Sequence, residues 1–257
     1  MRSAFGGDYP EIVLGEAIVK VLMFTLIPVF AVIIGGTIAS YRQPSPGLRV
    51  TIQHFAAGVV FSAVALQILP ELVLKLRIFP LIFGFSLGVA FMISAGMLME
   101  KLISDDSEVD GASSLGLALA SGTDLFIDGL LLGISFGIGE KQGIMITIAL
   151  TIELLLLGLS VASSMLRGHA VRSKVIAIAT LLAFCVVLGS TIGGLLLQGL
   201  SGAALVSVLA FATSAFLYLV TEELLVEAHQ GPDTRLATSM FFVGFLLMIV
   251  IETSVAN

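Results

Sequence analysis

Three acidic side chains sit deep inside otherwise apolar runs. Asp124 and Asp128 lie four residues apart in "GTDLFIDGLLLGISFGIGE", residues 122–140, and Glu153 lies in "TIELLLLG", residues 151–158. On an α-helix that spacing puts both aspartates on one face, about 6 Å apart along the axis. An acid at the centre of a membrane helix costs about 2.5–3.5 kcal/mol on insertion scales, so three cost roughly 7–10 kcal/mol unless something offsets them. No Lys or Arg is available at that depth, since Lys20 stands in the first third of its own apolar run. Two agents can neutralise such a set: protons, or a metal cation that displaces them and satisfies the oxygens directly. The bland alternative is that each acid is protonated and merely packs between helices, but intramembrane acids by default mark ion or proton pathways.

The elements that must position these groups are membrane helices. The chain has 257 residues, 58% hydrophobic and 12% charged, with mean hydropathy +1.12, which is the composition of an integral membrane protein. Apolar runs long enough to cross about 30 Å of hydrocarbon occur at 12–40, 50–74, 78–103, 112–138, 143–166, 174–197, 201–226 and 236–256. A β-barrel would show short alternating segments instead, so the expected fold is all-α, a single transmembrane domain over 1–257. Asp124 is the thirteenth residue of the fourth run and Glu153 the eleventh of the fifth. Antiparallel packing of the two would bring all three acids near the midplane. The N-terminus lacks the basic region and cleavage site of a signal peptide, so the first run is read as retained.

With the N-terminus outside, the inner loops hold Arg42, Arg49, Lys101, Arg167, Arg172, Lys174 and Arg235, against Arg2, Lys75, Arg77 and Lys141 outside. The excess favours an N-out, C-out topology in a bacterial inner membrane or plasma membrane. Small residues in "GFSLG" (84–88), "GISFG" (133–137) and "GSTIG" (189–193) have the spacing for close helix approach. Phe55–Glu71 aligns without a gap onto Phe211–Glu227, with five identities. Segments two and seven run in opposite directions, as an inverted-repeat transporter requires.

That alignment puts Gln67 and Glu71 near the outer face, where they would receive an ion, and Glu223, Glu227 and His229 near the inner face, where they would pass it on. His54 reads as an interfacial group, Met97, Met99 and Met145 as packing residues, and Glu252 is given no role. The lone Cys185 excludes a disulfide framework and a Cys-based zinc cluster.

These residues together resemble the ZIP (Zrt/Irt-like) family of divalent metal transporters. The resemblance rests on "HFAAGVVFSAVALQILPEL" in segment two, "TDLFIDGLLLGISF" in segment four and "EELLVEAH" in segment seven. It implies an eight-helix bundle in a 3+2+3 arrangement, with segments one to three related to six to eight by inverted symmetry. It also implies a metal site between segments four and five, and alternating access by sliding of helix groups. The central motifs depart from the family pattern. Asp124, Leu125 and Ile127 stand where the family has His, Asn and Pro, while Asp128 and Gly129 keep the acid and the glycine. In segment five Glu153 stands at a His or Gln position, and Leu154, Leu156 and Leu157 replace a polar residue, a Pro and a second Glu. Ser190 falls where some bacterial members carry a bridging acid. The losses leave ligands for one site, formed by Asp124, Asp128 and Glu153. All its donors are oxygens, which suit Mg, Mn or Ca and tolerate Fe(II), Co and Zn. The absent prolines imply straight fourth and fifth helices.

The expected function is transport of a divalent cation, zinc or another transition metal, towards the cytoplasm, with the metal as substrate and no cofactor. The expected partners are the metal and the bilayer, with a homodimer as a further expectation and no nucleic acid. The rivals are a proton-coupled carrier or proton relay of the same fold, and a non-transporting metal sensor or scaffold. An enzyme is least favoured: an intramembrane aspartyl protease needs an aspartate from each of two helices, whereas both aspartates here lie on one.

Overall fold

The computed structural model describes residues 9–255 apart from 43, 76, 106–111, 168–170, 197–199 and 230–233; of residues 9–15, 17, 46, 99, 100, 102–105, 112–120, 167, 223, 227 and 255 it describes the backbone alone. Helix α1 is Tyr9–Tyr41. Helix α2 has three consecutive parts, Pro46–Ala63, a π-helical turn Val64–Ile68, and Leu69–Leu74. Helices α3 (Ile78–Asp105), α4 (Ala112–Ile138), α5 (Glu140–Arg167) and α6 (Arg172–Leu196) follow. Helix α7 is again tripartite, Gly202–Tyr218, a π-helical turn Leu219–Leu224, and Leu225–His229, and α8 is Arg235–Val255. All eight are long and apolar enough to span a membrane, and no strand occurs among the described residues. The chain is an all-α, multi-pass membrane protein.

Local chemistry explains several boundaries. Ser45 caps α2, its hydroxyl accepting from the Leu48 amide at 3.3 Å, with Pro46 in the first turn where its missing N–H costs nothing. Gly139 alone separates α4 from α5, so α5 starts at Glu140, three residues before the expected 143. An acid there faces the positive end of the helix dipole. The π turn in α2 precedes Pro70, which has no N–H and whose ring crowds the carbonyl four residues back. The ladder widens, and the Leu69 amide reaches Val64 O instead. The α7 turn falls at the aligned place, with Leu225 N–H on Val220 O. No proline stands there, and nothing in its local sequence explains the widening. Helices α4 and α5 carry no such interruption, as expected for strings that lack proline.

Packing divides the helices into two groups. α1, α4, α5 and α6 form one, through the pairs α1–α5, α4–α6, α1–α6 and α4–α5; α2 packs on α8 and α3 on α7 in the other, and α2 meets α5 across the seam. This pattern maps onto itself when α1, α2, α3 and α4 are exchanged with α6, α7, α8 and α5. Glycines make the two tightest pairs possible: a Cβ on Gly158 of α5 would overlap the Val32 carbonyl oxygen of α1, and one on Gly129 of α4 would overlap that of Val186 in α6. The outer helices α3 and α8 expose Phe79, Ile82, Phe83, Phe242, Leu246 and Val250, the apolar surface a bilayer covers.

Candidate metal site

Asp124 and Glu153 meet at one cavity of about 70 Å³, which Gln53 and Ala56 of α2, Leu156 and Leu157 of α5 and Leu224 of α7 also line. Both acids precede by five residues the glycines that seat their helices, Gly129 and Gly158. The reciprocal glycines agree: Gly189 of α6 abuts the Phe126 carbonyl and Gly35 of α1 abuts that of Leu155, each two residues past the acid. The two carboxylates therefore occupy equivalent places in two matching helix pairs, which is why they converge although their helices differ in sequence. A water takes about 30 Å³ of liquid volume, so the space accommodates an ion with a water or two still attached.

Among the described residues the lining carries two carboxyl groups and one amide, with no basic side chain. Glu153 is 2% exposed and Gln53 6%, so solvent screens charges and dipoles here less than at the surface. Oxygen donors of this kind suit hard and borderline divalent ions.

The third expected ligand is placed differently. Asp128 is completely buried one turn beyond Asp124 and is not part of the cavity wall. Among the described residues no three His, Cys, Asp or Glu side chains stand together as a ready-made metal set. Ser190, also fully buried, bonds the Val187 carbonyl of its own helix at 3.1 Å, beside Gly129 and Gly133 rather than in the cavity.

Towards the end of the bundle where α4 joins α5, Gln67 is buried in the α2 π turn, and Glu71 lies half-buried one turn on. Gln67 Nε2 donates to Glu252 of α8, a residue that sequence reasoning passed over. Towards the opposite face, Glu223 lies on the α7 π turn and Glu227 on the last α7 segment; their side chains fall outside the described residues. His229 is exposed, its Nδ1 2.6 Å from the Leu225 carbonyl. Its ring meets that of His54 edge to face at 5.1 Å. His54 is 1% exposed, with Nδ1 on the Val50 carbonyl at 3.0 Å and a buried Nε2 that has no hydrogen-bond partner. The pairing of these imidazoles, like the presence of Gln53 at the cavity, had no signal in the sequence.

Residues 100–252, well over half of the chain, match the family model described as ZIP Zinc transporter. The zinc transporter GufA of Myxococcus xanthus is 32% identical over 143 residues, which are 55% of this chain and 56% of that protein. The match thus spans little more than half the length of that relative. With the eight-helix bundle, its two packing groups and the acid pair between α4 and α5 in view, the extent of the family match settles the relationship: the chain belongs to the ZIP zinc transporter family.

Proposed function

We propose that the protein carries a divalent metal cation across the membrane, holding it between Asp124 and Glu153 with Gln53 supplying a neutral oxygen. The observation that carries this reading is the meeting of two carboxyl groups from separate helices in one cavity, with no basic side chain among the described residues that line it. Zinc, the ion named in the family description and in the relative's name, is a natural first substrate. An all-oxygen lining also admits Mn, Fe(II), Co and Cd. Asp128, next along α4, is the following carboxylate on the path to the face bearing both termini.

The Lys and Arg distribution favours both termini outside. The cavity then lies on the cytoplasmic side of the acids, towards the start of α2 and the end of α7. Net movement is inward, past His54, Glu223, Glu227 and His229. The division of the helices into two packing groups supports alternating access by sliding of the α1, α4, α5 and α6 group against α2, α3, α7 and α8. Nothing in this scheme calls for catalysis or a bound cofactor. Uptake of Zn and Mn into proteoliposomes is the test: it should exceed that of protein-free vesicles and persist without a proton gradient. Proton flux with no metal entering would favour the proton-relay alternative.

The cavity wall offers a gain-of-function check. Leu157 lines it from α5, one turn beyond Glu153. Leu157→Glu adds a carboxylate there and is expected to tighten metal binding by about tenfold, since ligand charge count sets cation affinity. Titration calorimetry reads the change; unaltered affinity would mean that the cavity is not where the ion sits.

A further inference from the structure

Opposite the cavity, the face bearing both termini is fastened by polar contacts in which the carriage site takes no part. Lys141 Nζ, in the first turn of α5, lies 2.5 Å from Glu252 Oε1 near the end of α8. Gln67 Nε2, in the α2 π turn, donates to Glu252 Oε2 at 2.5 Å. The three residues come from both helix groups: α5 belongs to one, α2 and α8 to the other. The tether therefore crosses the seam along which the groups would slide. A neighbouring ion pair, Lys20 with Glu140, also 2.5 Å long, joins α1 to α5 inside a single group and cannot act in this way.

The chemistry of the tether is that of a cation site already occupied. The Glu252 carboxylate takes an ammonium on one oxygen and an amide N–H on the other, and Glu71 lies one turn beyond Gln67 on the same face of α2. The Lys141 and Glu252 side chains keep 39% and 22% of their surface exposed, so the ammonium is within reach of water and exchangeable. A lysine ammonium is a compact point charge on a flexible stem, and a divalent ion brings twice the charge and direct coordination to the same oxygens. We propose that Glu252 is a receiving carboxylate for the transported cation and that Lys141 is its tethered stand-in. An arriving ion takes the ammonium's place, and loss of the α5–α8 link frees the two helix groups to part on this face. The proposal rests on the metal-carrier reading for its ligand, but not for the tether.

Hydrogen exchange of the full-length protein in lipid nanodiscs tests both parts. Lys141→Met is expected to speed exchange in residues 64–74 and 246–255 about fivefold, the factor for losing a part-exposed ion pair, while Lys20→Met leaves those segments unchanged. In a Glu153→Gln background, which removes the central site, added Zn or Mn should produce the same acceleration, and Glu252→Gln should abolish that response. The charge-reversed pair, Lys141→Glu with Glu252→Lys, should restore slow exchange without restoring the response to metal. Equal exchange in Lys141→Met and Lys20→Met would overturn the tether. A metal response that survives Glu252→Gln, or returns with the reversed pair, would overturn the receiving role. Absence of uptake by the wild type would remove the carrier reading instead, and the exchange comparison without metal would still decide the tether.

Discussion

Glu153→Gln and Asp124→Asn are each expected to reduce divalent-metal uptake by proteoliposomes by at least about 100-fold. Each substitution keeps the size and one oxygen of the side chain while removing a carboxyl group from a wall that, among the described residues, holds two carboxyl groups and no base. Removing one partner of a buried ion pair costs about 3–5 kcal/mol, and about 1.4 kcal/mol is a factor of ten in affinity. Asp128→Asn should behave differently, because Asp128 lies outside the cavity wall: binding stays within about threefold of wild type, and uptake slows, as for a group on the path rather than at the site. Initial rates at several metal concentrations separate the two classes. Equal losses in all three variants would mean that the ion sits between Asp124 and Asp128 instead, along one helix.

The second large effect concerns the frame that brings the acids together. Gly129→Ala and Gly158→Ala each place a methyl group against a backbone carbonyl of the facing helix, a neighbour that cannot turn aside as a flexible side chain would. Overpacking of that kind costs about 1–3 kcal/mol, and it forces apart the helix pairs α4–α6 and α1–α5. Thermal unfolding in detergent should register both losses, with uptake reduced in parallel. Gly47→Ala is the control, since a Cβ there meets nothing within 4 Å and alanine favours the helix by up to about 1 kcal/mol. If Gly129→Ala unfolded at the same temperature as Gly47→Ala, the close α4–α6 approach would be wrong.

Much of the fold was legible in the residues. Hydropathy located all eight helices within a few residues, because the thickness of a bilayer sets their length independently of their neighbours. The glycines of "GFSLG" and "GSTIG" do lie at close crossings, and so does Gly133, but Gly137 is exposed. Spacing alone could not separate these, since lipid and helix are equally apolar surroundings and hydropathy does not say which face meets which. The same limit explains the site. Asp124 and Glu153 were readable as charges at bilayer depth. Whether Asp128 shared their cavity depended on how α2 and α7 close over α4 and α5, which no local pattern encodes. Glu252 was given no role for a related reason: its partner Gln67 is 185 positions away, and an acid so near the end of the given sequence offers no local pattern to interpret. The π turns were invisible for a different cause, at least in α7, where no proline announces the widened ladder.

Metal content is the most direct measure of the claim that Asp124 and Glu153 together hold the transported ion. Elemental analysis of purified protein after equilibration with Zn or Mn should find about one ion per chain in the wild type, and close to none in the Asp124→Asn, Glu153→Gln double variant, as expected where binding needs deprotonated oxygen ligands. A wild type that retains no divalent ion, or a double variant that retains as much as the wild type, would contradict it.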